Sequence, residues 1–345
     1  MDERPLIGIM VSNRGNRKGI LDLSHRYQNL NLKLFAFTPT DILWNKQGII
    51  GLSLKKGKWI QSSFPFPHTV YNRCYNKKPI TIQRLEAVIG SNKCFNSINS
   101  FNKWDLYNIL VQSNLKPYVP NTFLYHEVNI SNLLKFYKLV YIKPIYGNKG
   151  ASVYRVELMD NDEIHISLHS LAPRYICRKN ESIQKKLDEL LGPKTYMVQQ
   201  GIPMSQLEHQ YFDFRVLVQK GITGEWAIPT IACRVAHKRY FNTSMCEHIY
   251  DVVEVLPRLF SQEKVNDILQ SLHDVSVNAA KEAEIHMGLL GELSVDFVID
   301  KDSKLQIIEL NGKPQKSMYD DMKNFKSKKL IYSRPLDYAY YLSQL

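Results

Sequence analysis

The hydrophobic and polar pattern is most informative across residues 291–314, GELSVDFVIDKDSKLQIIELNGKP. Residues 293–299 and 305–310 are rich in Leu, Val, Ile and Phe, and the polar run 300–304 supplies turn chemistry, so the pattern predicts a β-hairpin. Folded about residues 302 and 303, that hairpin sets Asp296 opposite Glu309. The two-residue period of a strand then puts Glu309 and Asn311 on one face, with Ile308 and Leu310 on the other. Carboxylates held that close repel and raise each other's pKa unless a cation sits between them. Carboxylate and amide oxygens with room left for water and phosphate suit Mg²⁺, so Asp296, Glu309 and Asn311 are candidate metal ligands. For either acid alone, a surface hairpin with solvated charges is the alternative. The set is harder to explain that way, because acid and amide interrupt apolar strands.

The rest of the pattern reads as a mixed α/β chain. An apolar run at 6–11, a loop at 12–15, a helix over 20–30 and a strand over 32–37 predict a small open α/β lobe. Strand patterns follow at 48–54, 59–61 and 70–74, then a helix over 80–89, and the Asn- and Ser-rich stretch 90–99 marks a lobe boundary. Next come a helix over 101–112 with Trp104, Tyr107, Leu110 and Val111 on one face, a strand at 122–125 and a helix over 130–136. Strands at 139–145 and 152–158, a helix over 182–191, strands at 196–200, 212–219 and 226–234, and a long helix over 265–285 lead to the hairpin. No repeat of fixed period and no low-complexity tract interrupts the chain.

Composition narrows the partners more than the fold. A chain of 345 residues with 44% apolar and 23% charged residues is ordinary for a soluble globular enzyme of two or three lobes. The net charge of +12 invites a polyanionic partner. The basic residues are scattered, however, and show no aromatic-and-basic pattern of a nucleic-acid module, so no specific nucleic acid is expected. Five widely spaced cysteines without a CxxC argue against a disulfide framework or zinc site and for a reducing compartment. The charged N-terminus does not read as a signal peptide, and no apolar run is long enough to span a membrane. A soluble cytoplasmic protein is the expectation.

A second chemical stretch is 143–150, KPIYGNKG. Gly147 and Gly150 let backbone N–H groups approach an anion closely, and Lys143 and Lys149 add positive charge. The spacing is not that of a Walker A loop, and a plain hairpin with a glycine turn is the alternative. Lys143 is harder to dismiss, because a lysine inside an apolar strand is expensive unless it meets a negative group. The strand ending in Gln199, Gln200, Gly201 and Ile202 either offers an adenine its edge and faces or is a plain buried strand. Asp213 and Arg215 share a strand face, as an ion pair or as part of a site, and Arg234 ends another strand and suits a phosphate.

Taken in order, Lys103 in a helix, Pro120-Asn121-Thr122, Lys143-Pro144 with its glycine loop, Gln199 to Ile202, Asp213-Phe214-Arg215, Asp296 and Glu309-Leu310-Asn311 resemble the ATP-grasp superfamily over residues 95–340. The closing Glu309-Leu310-Asn311-Gly312-Lys313-Pro314 is most similar to its YheC/YheD branch of endospore coat-associated proteins. The resemblance implies an α+β ATP-grasp fold, two subdomains clasping ATP, behind a small N-terminal α/β lobe. Residues 1–95 would form that lobe and 96–345 the ATP-grasp domain, divided into a small subdomain at about 120–200 and a large one at about 201–345. It further implies that Lys103, Lys143, Gly147, Lys149 and Gly150 hold the phosphates, and that Gln199, Gln200 and Ile202 line the adenine hinge. Glu208 would reach the ribose, and Asp296, Glu309 and Asn311 would hold one or two Mg²⁺ ions, with Mn²⁺ as an alternative. Arg215 and Arg234 would act on the transferred group. The implied chemistry is carboxylate–amine ligation through an acyl phosphate, on an unidentified acid and amine and in a spore-coat setting. A non-catalytic coat protein keeping the fold is the alternative. Two positions depart from the pattern: Ser294 stands where many such ligases carry arginine, and 238–248 keeps Asn242 but has no glycine pair.

Overall fold

The apolar run near the N-terminus is continuous because both faces of its strand are buried. In the computed structural model, which describes residues 4–147, 150–322 and 325–345, Leu6–Met10 lies between the parallel strands Lys33–Phe37 and Thr69–Asn72. Cys94–Phe95 extends this sheet in parallel beyond Thr69–Asn72. The antiparallel hairpin of Gly48–Lys55 and Lys58–Pro65 closes the other side, with Ile42–Leu43 paired to Gly48–Lys55. Ile7 and Ile9 pack under the helices Asn16–Tyr27 and Lys328–Gln344, whereas Leu6 and Met10 face the helix Ile80–Ile89. The first helix starts before the predicted residue 20, because buried Arg17 in its first turn reaches Asp41. The C-terminal helix is absent from the sequence reading. It carries Pro335 in its interior and buries tyrosines, so it shows no simple apolar stripe.

The second sheet is antiparallel throughout. Its order is Pro173–Cys177, Ile164–Leu168, Tyr154–Leu158, Leu139–Pro144, Tyr196–Gln200 and Thr122–Leu124. Helices Ile130–Tyr137 and Ile183–Leu191 cover one face. Asn129 and Ser182 cap these helices, each side chain accepting a backbone N–H of the first turn.

The third sheet runs Cys246–Asp251, Trp226–Ala236, Gln210–Lys220, Glu292–Ile299 and Leu305–Asn311, again antiparallel, with Gln206–Leu207 pairing the start of Gln210–Lys220. Phe214, Val216 and Val218 point into the largest core, under the 26-residue helix Gln262–Met287 and the helix Lys103–Gln112. The period of two sends Asp213 and Arg215 to the other face. In Lys103–Gln112 the residues in the core are Leu106 and Leu110. Trp104 and Tyr107, expected on the buried face, are half-buried and stack on one another. No helix among the described residues is long and apolar enough to cross a membrane.

The stretch read as a lobe boundary is stitched into its surroundings. Asn96, 1% exposed, accepts the backbone N–H groups of Gly291 (2.9 Å) and Glu292 (3.3 Å) on Oδ1. Its own N–H donates to the Leu289 carbonyl at 2.8 Å, and its carbonyl accepts from Asn72 Nδ2 at 2.8 Å. One amide thus joins the edge of the first sheet to the strand carrying Asp296. We predict that Asn96→Ala, which orphans buried donors, lowers unfolding stability by about 1–3 kcal/mol for each amide left unpaired. Urea denaturation measures this, and a loss below about 0.5 kcal/mol, the size expected of an inert surface change, would contradict the stitch.

Candidate functional site

The late hairpin forms with the predicted pairing of Asp296 to Glu309. It does so through a β-bulge. Phe297 pairs with Ile307 but Asp296 pairs with Glu309, so Ile308 is the extra residue. This corrects one expectation. Ile308 lines the same cavity as Glu309 and Asn311, while Ile307 and Leu310 enter the core.

Asp296 is not a bare carboxylate beside another. Strand pairing sets Arg215 opposite Asp296, and Arg234 opposite Asp213. Arg215 grips Asp296 with Nε on Oδ1 (2.7 Å) and Nη2 on Oδ2 (2.5 Å). Arg234 donates Nε to Asp213 Oδ1 (2.8 Å) and Nη2 to Asp213 Oδ2 (2.5 Å), and also reaches Asp296 Oδ2 at 3.1 Å. Thr243 Oγ1 completes the Asp213 shell at 2.5 Å. Burial pushes the Asp296 carboxyl toward protonation, but the Arg215 and Arg234 guanidiniums outweigh it and hold its pKa below the usual range. The expected mutual repulsion of two acids is therefore replaced, at Asp296, by neutralisation from two arginines.

The lysines behave differently. Lys143 is 8% exposed, and its Nζ donates to the neutral Gln199 Oε1 at 2.6 Å. Burial drives its pKa down to about 8, against the pull of Glu309 and Asp296 and with a push from Lys103. Lys103 opens its helix, where it donates to the Gly147 carbonyl (2.8 Å) and pairs with Glu309 Oε1 (3.2 Å). Gly150 has φ +63, and a Cβ there would strike the Asn242 side chain. Asn242 itself accepts the Ser244 N–H at 2.9 Å and contacts His169, so the loop without a glycine pair is still pinned against the glycine loop. Lys149 lies outside the described residues.

These groups line one cavity of about 1040 Å³ between the second and third sheets, open to the first lobe. Gln199, Gln200 and Ile202 stand on its wall, with Tyr141, Phe212 and Val298 as apolar neighbours. Gln200 Oε1 is held by Asn121, whose backbone N–H and Nδ2 lie at 3.4 and 3.3 Å. Glu208 is not brought to the cavity. It occupies the exposed turn between Gln206–Leu207 and Gln210–Lys220, with φ 50. The structure also brings in Arg73 from the first lobe and Lys313 from beyond the hairpin, neither given a site role in the sequence analysis, where Lys313 figures only within the closing motif. Arg73 sits on fully buried Glu292, a signal present in the sequence as an acid flush against an apolar strand. Burial raises the Glu292 pKa, but Lys316 and Arg73 overcome it and hold it at about 2.

Among the described residues no group of three or more His, Cys, Asp or Glu side chains is placed to hold a metal. Asp296, Glu309 and Asn311 are nonetheless hard oxygen donors on one wall, in the small number Mg²⁺ takes while keeping water and phosphate in its shell. They fit such an ion in kind, and here guanidiniums meet the Asp296 demand for positive charge.

Comparison with known proteins gives a consistent result. A sequence model described as YheC/D like ATP-grasp matches residues 91–342. The endospore coat-associated protein YheD of Bacillus subtilis (strain 168) is 26% identical over 328 residues, spanning 90% of this chain and 70% of YheD. YheC of the same organism is 22% identical over 340 residues, spanning 93% of this chain and 91% of YheC. The ATP-grasp ligase PsnB, solved with a phosphomimetic variant of its minimal precursor, Mg and ADP, superposes with a TM-score of 0.56 at 12% identity, covering 97% of this chain and 98% of that one. At that identity the likeness is one of fold.

The ionic lattice makes unequal demands on its two acids. Asp296→Asn leaves two buried guanidiniums short of charge and should destabilise the protein by about 3–5 kcal/mol. Glu309→Gln, at a side chain 25% exposed, should cost less than about 1 kcal/mol. Paired urea titrations compare them, and equal losses would show that Asp296 is not the structural partner described.

Proposed function

The chain belongs to the YheC/D-like ATP-grasp family, and on that premise we propose that it is an ATP- and Mg²⁺-dependent ligase joining a carboxylate to an amine. The observation that carries the reading is Lys143. A buried ammonium in a cavity wall, hydrogen-bonded among the described residues only to an amide and within electrostatic reach of Glu309 and Asp296, is short of an anion. A triphosphate supplies it.

In this reading Lys143 and Lys103 neutralise the phosphates, and Gly147 and Gly150, with Lys149 between them, present backbone N–H groups. Gln199, Gln200 and Ile202 take the adenine. Asp296, Glu309 and Asn311 hold Mg²⁺, which when bound offsets charge on the transferring phosphoryl group. Arg215 and Arg234 steady the transferred group. The acid's carboxylate oxygen attacks the γ-phosphorus and ADP leaves. The amine nitrogen then attacks the acyl carbon of the resulting acyl phosphate, phosphate leaves with the C–O bond electrons, and the amine gives up a proton to solvent. Positioning and electrostatics suffice for such transfer, so no side-chain nucleophile is required.

The names of YheD and YheC support a spore-coat setting for this chain. They also keep a second reading in play, a coat protein that retains nucleotide binding without turnover. Two observations favour it: both candidate arginines are committed to Asp213 and Asp296, and Ser294, where many such ligases carry arginine, is fully buried with its Oγ unpartnered among the described residues.

Thermal unfolding of the purified chain tests the nucleotide site. ATP at about 100 times its dissociation constant should stabilise by about 2.7 kcal/mol, only with Mg²⁺ present and not in Glu309→Gln. Stabilisation without Mg²⁺, or undiminished in Glu309→Gln, would refute the metal assignment. ADP release on supplying an acid and an amine separates ligase from coat protein: release dependent on both substrates supports the ligase, whereas nucleotide binding with no release across an exhaustive substrate panel supports the second reading.

A further inference from the structure

The cavity has a second cationic end that the nucleotide does not use. Fully buried Glu292 is the shared anion of Arg73 (Nη1 to Oε1, 2.6 Å) and Lys316 (Nζ to Oε2, 2.8 Å). Arg73 Nη1 also donates to Tyr71 Oη at 3.1 Å. Its Nε and Nη2 have no partner among the described residues, and the side chain borders the cavity. Lys313 lies beside it with no carboxylate partner among the described residues, resting on the Tyr75 ring at 4.8 Å. Two cations thus share one acid, and a third beside them pairs with none among the described residues.

A smaller cavity of about 270 Å³ adjoins at Lys313 and repeats the imbalance. Lys77 on its wall lies over the Tyr146 ring at 4.1 Å and has no carboxylate partner among the described residues. Asn99 is 2% exposed, and its Oδ1 accepts the Asn76 N–H at 2.8 Å. That fixes the amide and leaves the buried Nδ2 donor without a partner among the described residues. The carboxylate on this wall, Glu309, is already paired with Lys103.

We propose that Arg73 and Lys313 form a carboxylate subsite, and that the acid substrate is a dicarboxylate whose non-reacting carboxylate binds there. The inference rests on the ligase reading above. The reacting carboxylate has to meet the γ-phosphate, whose charge would be matched by Lys103, Lys143 and the Mg²⁺ that the hairpin would hold, so the surplus at Arg73 and Lys313 answers to a different group. The Nε–Nη2 edge of a guanidinium matches the two oxygens of a carboxylate. Lys77 and Asn99 Nδ2 extend the same polarity into the smaller cavity, where an acid with a longer polar chain continues.

Calorimetric titration of the full chain, with and without Mg·ADP, tests this with succinate and glutarate as probes, butyrate as the mono-acid control and inorganic phosphate as a rival anion. At least one diacid should bind about tenfold or more tighter than butyrate, the factor expected of one charge-assisted contact. Lys313→Gln should remove that advantage, and Lys77→Gln should reduce it for glutarate, with Mg·ADP affinity unchanged in both. Arg73→Lys adds a conservative test, and retained thermal unfolding shows that it folds despite the contact with Glu292. If neither diacid binds, if butyrate binds as well, or if Lys313→Gln leaves the gap intact, the subsite is wrong. Phosphate binding tighter than either diacid and lost in Lys313→Gln would overturn the carboxylate assignment. Failure of the nucleotide reading shows separately as no Mg·ADP binding to the wild-type chain, and the nucleotide-free titrations then still decide the subsite.

Discussion

An ammonium group carried into a protein wall must find negative charge or surrender its proton, because desolvation penalises the charged form. Lys143 does neither fully. It stands in an apolar strand, accepts the partial help of the Gln199 amide, and feels Glu309 and Asp296 across the cavity without contacting either. On the third sheet, across the same cavity, the arginines are fully answered: Asp213 and Asp296 are shared between Arg215 and Arg234, two acids for two guanidiniums. One half of the cavity is therefore self-neutralised and rigid, while the other is short of an anion. In the proposed reading, the half that is short of an anion is the half that takes the phosphates.

The three sheets exist in part to hold that imbalance in place. The second sheet presents Lys143 and Gln199 from neighbouring strands, two residues apart in register and so on the same face. The third presents Arg215, Asp296 and Glu309 from three adjacent strands. The first lobe is fastened to the third sheet by Asn96, by Arg73 on Glu292, and by the C-terminal helix, whose Tyr338 packs edge-on to Phe95. Because Arg73 arrives through this fastening, the first lobe contributes to the shape and charge of the cavity.

Much of this was legible in the sequence where local periodicity decides the outcome. The strand Tyr196–Gln200 and the helix Ile80–Ile89 have the boundaries that their apolar patterns predict, and symmetry about the turn predicts the pairing of Asp296 with Glu309. The bulge at Ile308 is invisible to a strict two-residue period, so its face was misassigned. Strands Ile164–Leu168 and Pro173–Cys177 escaped because they are short and partly exposed, with His165, Ser167 and Arg174 diluting the pattern. The ion pairs escaped for a different reason. Which acid Arg215 meets depends on strand order, not on spacing along the chain, so the sequence suggests Asp213, two residues away on the same face, whereas the partner is Asp296 on the neighbouring strand. Arg73 and Lys313 are brought to the cavity by the docking of a lobe and of the segment after the hairpin, which no local pattern encodes.

The proton affinity of Lys143 tests the account most directly. NMR titration of the chain with ¹³C-labelled lysine methylene groups, assigned with Lys143→Arg, would follow its ammonium in the free protein and with Mg·ADP. Burial without a counter-ion predicts a pKa near 8 in the free chain. A phosphate placed beside it favours the charged form, so saturation with nucleotide should raise that value toward the ordinary lysine range. A free-chain value at the ordinary 10.5 of lysine, or one that does not move when nucleotide binds, would contradict the claim that Lys143 awaits the phosphates.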